Sequence, residues 1–206
     1  TNAGLATAGG ETLFDFSGFE NVTGAAAEDR FVFSDNSAAI TGSLNGGGGI
    51  DTLDYSGRTL GVTVDLGGGT TTAIGGGVAG IEALIGSAGE DMLIGPSSDT
   101  SWNITGVNAG DVGGSLAFSG IENLTGGSGY DLFVVGNGAR TSGTIDGGGG
   151  LNTLQFNTSN ADDTVVVDAP EVTVNGVAQS YANIGTIVVN TLGGLDDITA
   201  NPAASG

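Results

Sequence analysis

Two aspartates occupy almost the same nine-residue frame, Asp51 in GGGGIDTLD (46–54) and Asp131 in GGSGYDLFV (126–134). The chemistry open to such a segment is cation binding. Its glycines turn the backbone, its carboxylate faces a cation, and an apolar residue two places on enters a core. Calcium takes six to eight oxygen ligands, and extracellular modules hold it at about 10⁻⁴–10⁻³ M, so one carboxylate in a glycine turn needs help from its neighbours. Asp54 is the nearest helper for Asp51, and the polar turn of an adjacent row for Asp131. The competing use of the same aspartates is to close the turn by accepting backbone N–H groups. Weaker copies of the frame put Asp29 after GAAAE and Asp91 after GSAGE, while GGGGLNTLQ replaces the acid with Asn152 and removes its charge.

The elements that carry these turns are short and regularly spaced. Aligned on the glycine that ends a brief aliphatic run, the rows close at Gly24, Gly46, Gly67, Gly86, Gly106, Gly126 and Gly147, at intervals of 19–22 residues. TVVVDAP from Thr164 and IGTIVVN from Ile184 extend the series less regularly. Alternating runs such as VTVDL and TIVVN with glycine or Asn/Asp punctuation predict strands and turns, and no 3.6-residue stripe competes. A single row cannot bury its apolar face, whereas stacked rows bury a continuous one. The expected fold is therefore all-β, a parallel β-solenoid (β-helix or β-roll) of about nine rows of roughly 20 residues. It is expected to form one domain over 1–206, best defined over 17–157 and less regular over 158–206. Two core files are expected. One holds Val22, Leu44, Leu84, Ile104, Leu124 and Ile145; the other holds Phe31, Leu53, Leu93, Phe133 and Leu154, with a slipped row at Gly67.

Composition excludes several classes. The 23 acidic residues stand against three arginines, with no lysine and no histidine, a formal charge of −20. Such a chain lacks the cations that nucleic acid or an anionic membrane surface requires, and its partners are expected to be cations. There is no cysteine for a disulfide framework or thiolate site. No apolar run approaches the roughly 18 residues of a membrane span, so no membrane insertion is expected. Glycine, at 42 of 206 residues, marks frequent turns rather than collagen or a linker, since proline numbers only 3.

A longer repeat overlies the short one: FSGFENVTGAAAEDRFVF from Phe16 is matched by FSGIENLTGGSGYDLFVV from Phe118. These motifs resemble RTX-type repeats, and IENLTGGSGYD followed by GGGGxDTLxY looks like the giant repetitive surface and adhesin (haemagglutinin-like) proteins of bacteria. The resemblance covers residues 17–157 and implies a secreted or cell-surface bacterial β-roll with calcium held in its turns. It points to Asp51 and Asp131, with carbonyls from Gly46, Gly48, Gly126 and Ser128, as the ligands. The family's sites form between tandem nonapeptides, whereas the two good copies here stand apart, so a β-helix with sparse calcium sites remains an equal reading.

Two other residue sets have bland and sharp readings. Asn21, Asn103 and Asn123 lie at matching row positions and could stack as an amide ladder. With Asn157 they also fit the N-x-S/T glycosylation pattern. Glu20, Glu82 and Glu122 recur before the row ends and are expected to be solvated or to contact turns.

The functional expectation is a structural unit rather than an enzyme: a stalk or a self-assembling fibre or surface-layer protein, with calcium-binding turns. An adhesin or a module for cell-surface glycans or ice is the alternative, though no Thr-x-Thr ladder persists. A polysaccharide-degrading β-helix is the remote one, because only paired carboxylates could serve it. The chain opens inside a repeat, with Asn2-Ala3-Gly4 matching NAG at Asn108, and neither end carries a polar cap. Uncapped sheet ends template pairing, so the expected partner is the chain itself, by head-to-tail stacking or by continuation into further repeats.

Overall fold

The computed structural model describes residues 5–8, 11–15 and 20–201, the first two segments as backbone only. Asn2 and the start of the long repeat at Phe16 lie outside them. The described residues are all-β, with no helix. The strands are β1 (Leu5–Ala8), β2 (Glu11–Asp15), β3 (Val22–Thr23), β4 (Asp29–Val32), β5 (Leu44–Asn45), β6 (Thr52–Asp54), β7 (Thr63–Asp65) and β8 (Thr70–Thr71). There follow β9 (Val78–Ala79), β10 (Ala83–Ile85), β11 (Met92–Ile94), β12 (Thr100–Gly106), β13 (Ala109–Val112), β14 (Leu116–Ser119), β15 (Asn123–Thr125) and β16 (Asp131–Val135). The last are β17 (Thr144–Asp146), β18 (Thr153–Asn157), β19 (Thr164–Asp168), β20 (Glu171–Val174), β21 (Val177–Ala182), β22 (Thr186–Asn190) and β23 (Asp197–Asn201). Contacts divide the chain into two compact units, Thr1–Ile94 with Ser115–Ile121, and Gly95–Gly114 with Glu122–Gly206.

In the first unit, β4, β6, β10 and β14 form a parallel ladder that sets Phe31, Leu53, Leu84 and Phe118 in register, all buried. A second ladder, β3–β5–β9, aligns Val22, Leu44 and Val78, and a third pairs Val64 of β7 with Leu93 of β11. Antiparallel pieces complete it: β1 lies along β4, β2 along β1, and β8 folds back on β7.

In the second unit, β12–β16–β18–β22 stack in parallel and align Trp102, Phe133, Leu154 and Ile187. Beside them β15–β17–β21 align Leu124, Ile145 and Tyr181. Antiparallel strands interrupt this unit too, β13 on β12 and β20 between β19 and β21. The burial of β18 alternates along Thr153–Asn157, because successive side chains of a strand face opposite ways and Leu154 and Phe156 point inward.

The register corrects the expected files in three places. Leu84 pairs with Leu53, not with the row-end leucines, and Ile104 pairs with Val135. Leu93 leaves the file of Leu53 and pairs with Val64. The cause is insertion. The hairpin β7–β8 adds chain between Leu53 and Leu84, and β12 runs on into a hairpin with β13 instead of closing a row at Gly106. Strand-to-strand intervals along a ladder are consequently uneven, 22 residues from Phe31 to Leu53 but 31 from Leu53 to Leu84. A count of rows based on a steady 20-residue period does not describe them.

Candidate metal-binding turns

Each motif acid sits five residues after its row glycine, as in Gly24–Asp29, Gly46–Asp51, Gly86–Asp91, Gly126–Asp131 and Gly147–Asn152. The structure gives that spacing a steric reason. A Cβ on Gly46 would overlap the Gly80 carbonyl of the next row and lie 2.5 Å from Asp51 Oδ2. The same two neighbours, the next row's carbonyl and the row's own acid or amide, crowd Gly24, Gly86, Gly126 and Gly147. The absent side chain is thus the slot into which the acid folds back while rows approach backbone to backbone.

The acid then closes its turn. Asp29 Oδ2 accepts the Ala25 N–H at 2.7 Å, Asp91 Oδ2 the Ser87 N–H at 2.6 Å, and Asp131 Oδ2 the Gly127 N–H at 2.9 Å. A second set of bonds runs between rows. Asp29 N–H donates to Asp51 Oδ1 at 2.8 Å, Asp51 N–H to Glu82 Oε2 at 2.9 Å, and Asp131 N–H to Asn152 Oδ1 at 2.9 Å. Val62 N–H likewise reaches Asp91 Oδ1 at 2.7 Å. Turn capping is therefore what Asp29, Asp91 and Asp131 do in the fold, whereas Asp51 accepts only the N–H of a neighbouring row, and Glu82 makes the turn contact expected of it.

Asp51 and Asp131 differ from the others in one respect. Both are almost fully buried, and each keeps one carboxylate oxygen, Asp51 Oδ2 and Asp131 Oδ1, short of a well-formed hydrogen bond, although the Thr100 N–H and the Trp102 indole N–H lie close enough to Asp131 to favour its charge. Asp91, equally buried, has both oxygens engaged, since Ser87 Oγ also donates to Oδ1 at 2.7 Å. The remaining expected ligands are dispersed. Asp54 is buried but spends its oxygens on the Arg30 guanidinium and the Ser56 N–H. Gly46 directs its carbonyl at Gly24 of the preceding row. Gly48 is an exposed donor to the Ala25 carbonyl, Gly126 is buried, and Ser128 is exposed. Among the described residues no three acidic side chains converge as a metal cluster.

Burial pushes the Asp131 carboxyl above the usual range, opposed by the Gly127 and Thr100 N–H groups and the Trp102 indole N–H and reinforced by the nearby charge of Asp99. An acid whose pKa is raised by folding takes up a proton on folding. Its favourable contribution is full below the unfolded pKa and is lost as pH rises through the folded one. Asp131→Asn, which copies the natural Asn152, is expected to raise the melting temperature in chelator at pH 7, with the gain vanishing near pH 3. A gain independent of pH would show that the charge is not the cause.

Sequence reasoning missed Asp163, Asp99 and Asp162. Asp163 caps Ser159 N–H at 3.1 Å and donates its own N–H to Asp196 Oδ1 at 3.0 Å, with Thr158 where other rows have glycine. The Asn175 amide, 2.6 Å from its Oδ1, holds its carboxyl below the usual range. Asp99 accepts the Tyr130 N–H and Asp162 the Leu195 N–H. The five-residue spacing from Thr158 was the available signal for Asp163.

The asparagines do not form one ladder. Asn21 and Asn123 each accept a backbone N–H of the next row, from Ser43 and Thr144, whereas Asn103 binds Asp111. Asn157 does receive a neighbouring row's amide, that of Asn190 at 2.9 Å. Asn103 and Asn123 lie on different ladders because β12 pairs with β16 and β15 with β17. Comparison with models of known protein families and with curated protein sequences gives no match to this chain.

Proposed function

We infer that this chain is a structural β-solenoid unit of a bacterial extracellular protein, of the RTX-like or adhesin-like repetitive kind, serving as a stalk or a self-associating fibre. The observation that carries the reading is the repeated row-to-row joint. The same glycine slot, turn-closing acid and inter-row N–H bond recur in both units, so most of the chain's polar chemistry is spent on stacking rows. Self-association is supported by the last ladders. Ile198 on β23 is 51% exposed although its partner Val165 on β19 is fully buried. β22 carries the uncharged sequence TIVVN, with none of the charges or prolines that protect an edge. Sedimentation velocity over a hundredfold concentration range is expected to show growing assemblies; a constant monomer mass would overturn the fibre form of the reading.

Calcium belongs to the same proposal. The two intact nonapeptides are the ones whose aspartates keep a buried oxygen short of a well-formed hydrogen bond, which suits a cation held by Asp51 or Asp131 with carbonyls and water completing its shell. Binding to the folded state alone at ten times the dissociation constant adds about 1.4 kcal/mol per site, or about 3–6 °C for a chain of this size. Melting curves in chelator and in 10 mM calcium test this. Coincident curves would remove calcium from the account and leave the stacking joint untouched.

A further inference from the structure

The first unit contains a pocket of about 170 Å³ beside the hairpin β7–β8. Its wall is apolar: Leu53, Val64, Leu84 and Leu116, all buried, with Val78 and Ile81 half-buried. Insertion creates it. Leu44 is buried on β5, but its register partner Val78 on β9 is not, because the chain there passes through Ala79 and Gly80 opposite the glycine turn at Gly69. Where other rows are filled by facing side chains, these small residues leave space.

The buried polar side chain around the pocket, Thr71, is engaged, and so is one oxygen of Asp65. Asp65 Oδ1 accepts the Gly68 N–H at 2.8 Å, and the Thr71 hydroxyl is bonded to Tyr55 Oη at 2.8 Å, which itself donates to the Thr72 carbonyl at 2.7 Å. Thr70 stands at the exposed rim. Apolar side chains make up most of the lining, so a polar guest would lose its hydration with little compensation. An apolar guest loses nothing and covers leucine and valine surface. Apolar protein cavities of about 150 Å³ lined by such side chains accept benzene or xenon.

We propose that this pocket is a binding site for one small uncharged apolar molecule, of about the size of a six-membered hydrocarbon ring. The proposal does not depend on the solenoid or calcium readings. Benzene is the probe. At ten times its dissociation constant it is expected to raise the melting temperature by about 3–6 °C, saturably, whereas an equal concentration of glycerol leaves it unchanged. Val78→Phe and, separately, the milder Val78→Leu are designed to occupy the space. Each folded variant is expected to lose the shift, and Thr70→Ala at the rim to retain it. Absence of a saturable shift in the unmodified chain, or an undiminished shift in a folded filled variant, overturns the proposal.

Discussion

Gly46→Ala is expected to destabilise the chain by about 3 kcal/mol, the upper part of the range for forcing atoms into a packed site. The added methyl has nowhere to go. It would overlap a backbone carbonyl, Gly80 O, which cannot rotate away, and would press on the Asp51 carboxylate that accepts the Asp29 N–H of the neighbouring row. Relieving the overlap means separating β5 from β9 and breaking the Gly46 N–H bond to the Ala79 carbonyl at 2.9 Å. Gly106→Ala is the matched control. Gly106 was aligned with Gly46 by sequence, yet its Cβ would meet only Ala109 Cβ at 3.6 Å, an ordinary contact. Its cost is expected to stay within about 0.5 kcal/mol. Urea midpoints measure both. Equal losses in the two variants would show that the glycine slot is not what makes Gly46 necessary.

The second large effect is expected at Trp102, the only tryptophan in the chain and fully buried on β12. Its ring stacks on Phe133 with centroids 5.3 Å apart, and it stands in register with Phe133 on a ladder continuing through Leu154. Trp102→Ala should cost about 3–5 kcal/mol, combining lost burial with the cavity left behind. Trp102→Phe should cost less than Trp102→Ala, since it keeps an aromatic ring in the stack, although it removes the indole N–H that faces the Asp131 carboxylate. Far-ultraviolet circular dichroism against urea reads the two variants, which have no tryptophan fluorescence. A loss below 1 kcal/mol for Trp102→Ala would mean that this part of the ladder contributes little to cooperative folding.

These two residues also show how far the sequence could be read. The G-x₄-D/N spacing was visible in every row that carries it, and so was the apolar residue two places after the acid. Local chemistry suffices there, because a tight turn needs glycine and a capping oxygen, and a strand alternates inward and outward positions. The Trp102 row was misassigned for a reason of the opposite kind. WNITG and ENLTG look alike over five residues, but which strand lies beside WNITG depends on how much chain the preceding hairpins consume. A repeat detected by alignment cannot measure that length in space.

The candidate cation site divides along the same line. Sequence singled out Asp51 and Asp131 from their intact nonapeptides, and the fold leaves on those two residues a buried oxygen short of a well-formed hydrogen bond. It also expected Asp54 to assist Asp51. That expectation fails to foresee Arg30, which comes from 24 residues earlier and reaches Asp54 because β4 and β6 pair with Val32 beside Asp54.

By itself, then, the sequence determined the all-β character, the glycine turns, the acids that close them and the strongly acidic balance of the chain. Those properties are set by residue type and near-neighbour spacing. Only the tertiary structure decided which strands share a ladder, which acid oxygens stay short of a well-formed hydrogen bond, and where the inserted hairpin opens an apolar pocket. Each of those depends on contacts between residues tens of positions apart, and such contacts follow from the lengths of the intervening loops rather than from any local pattern.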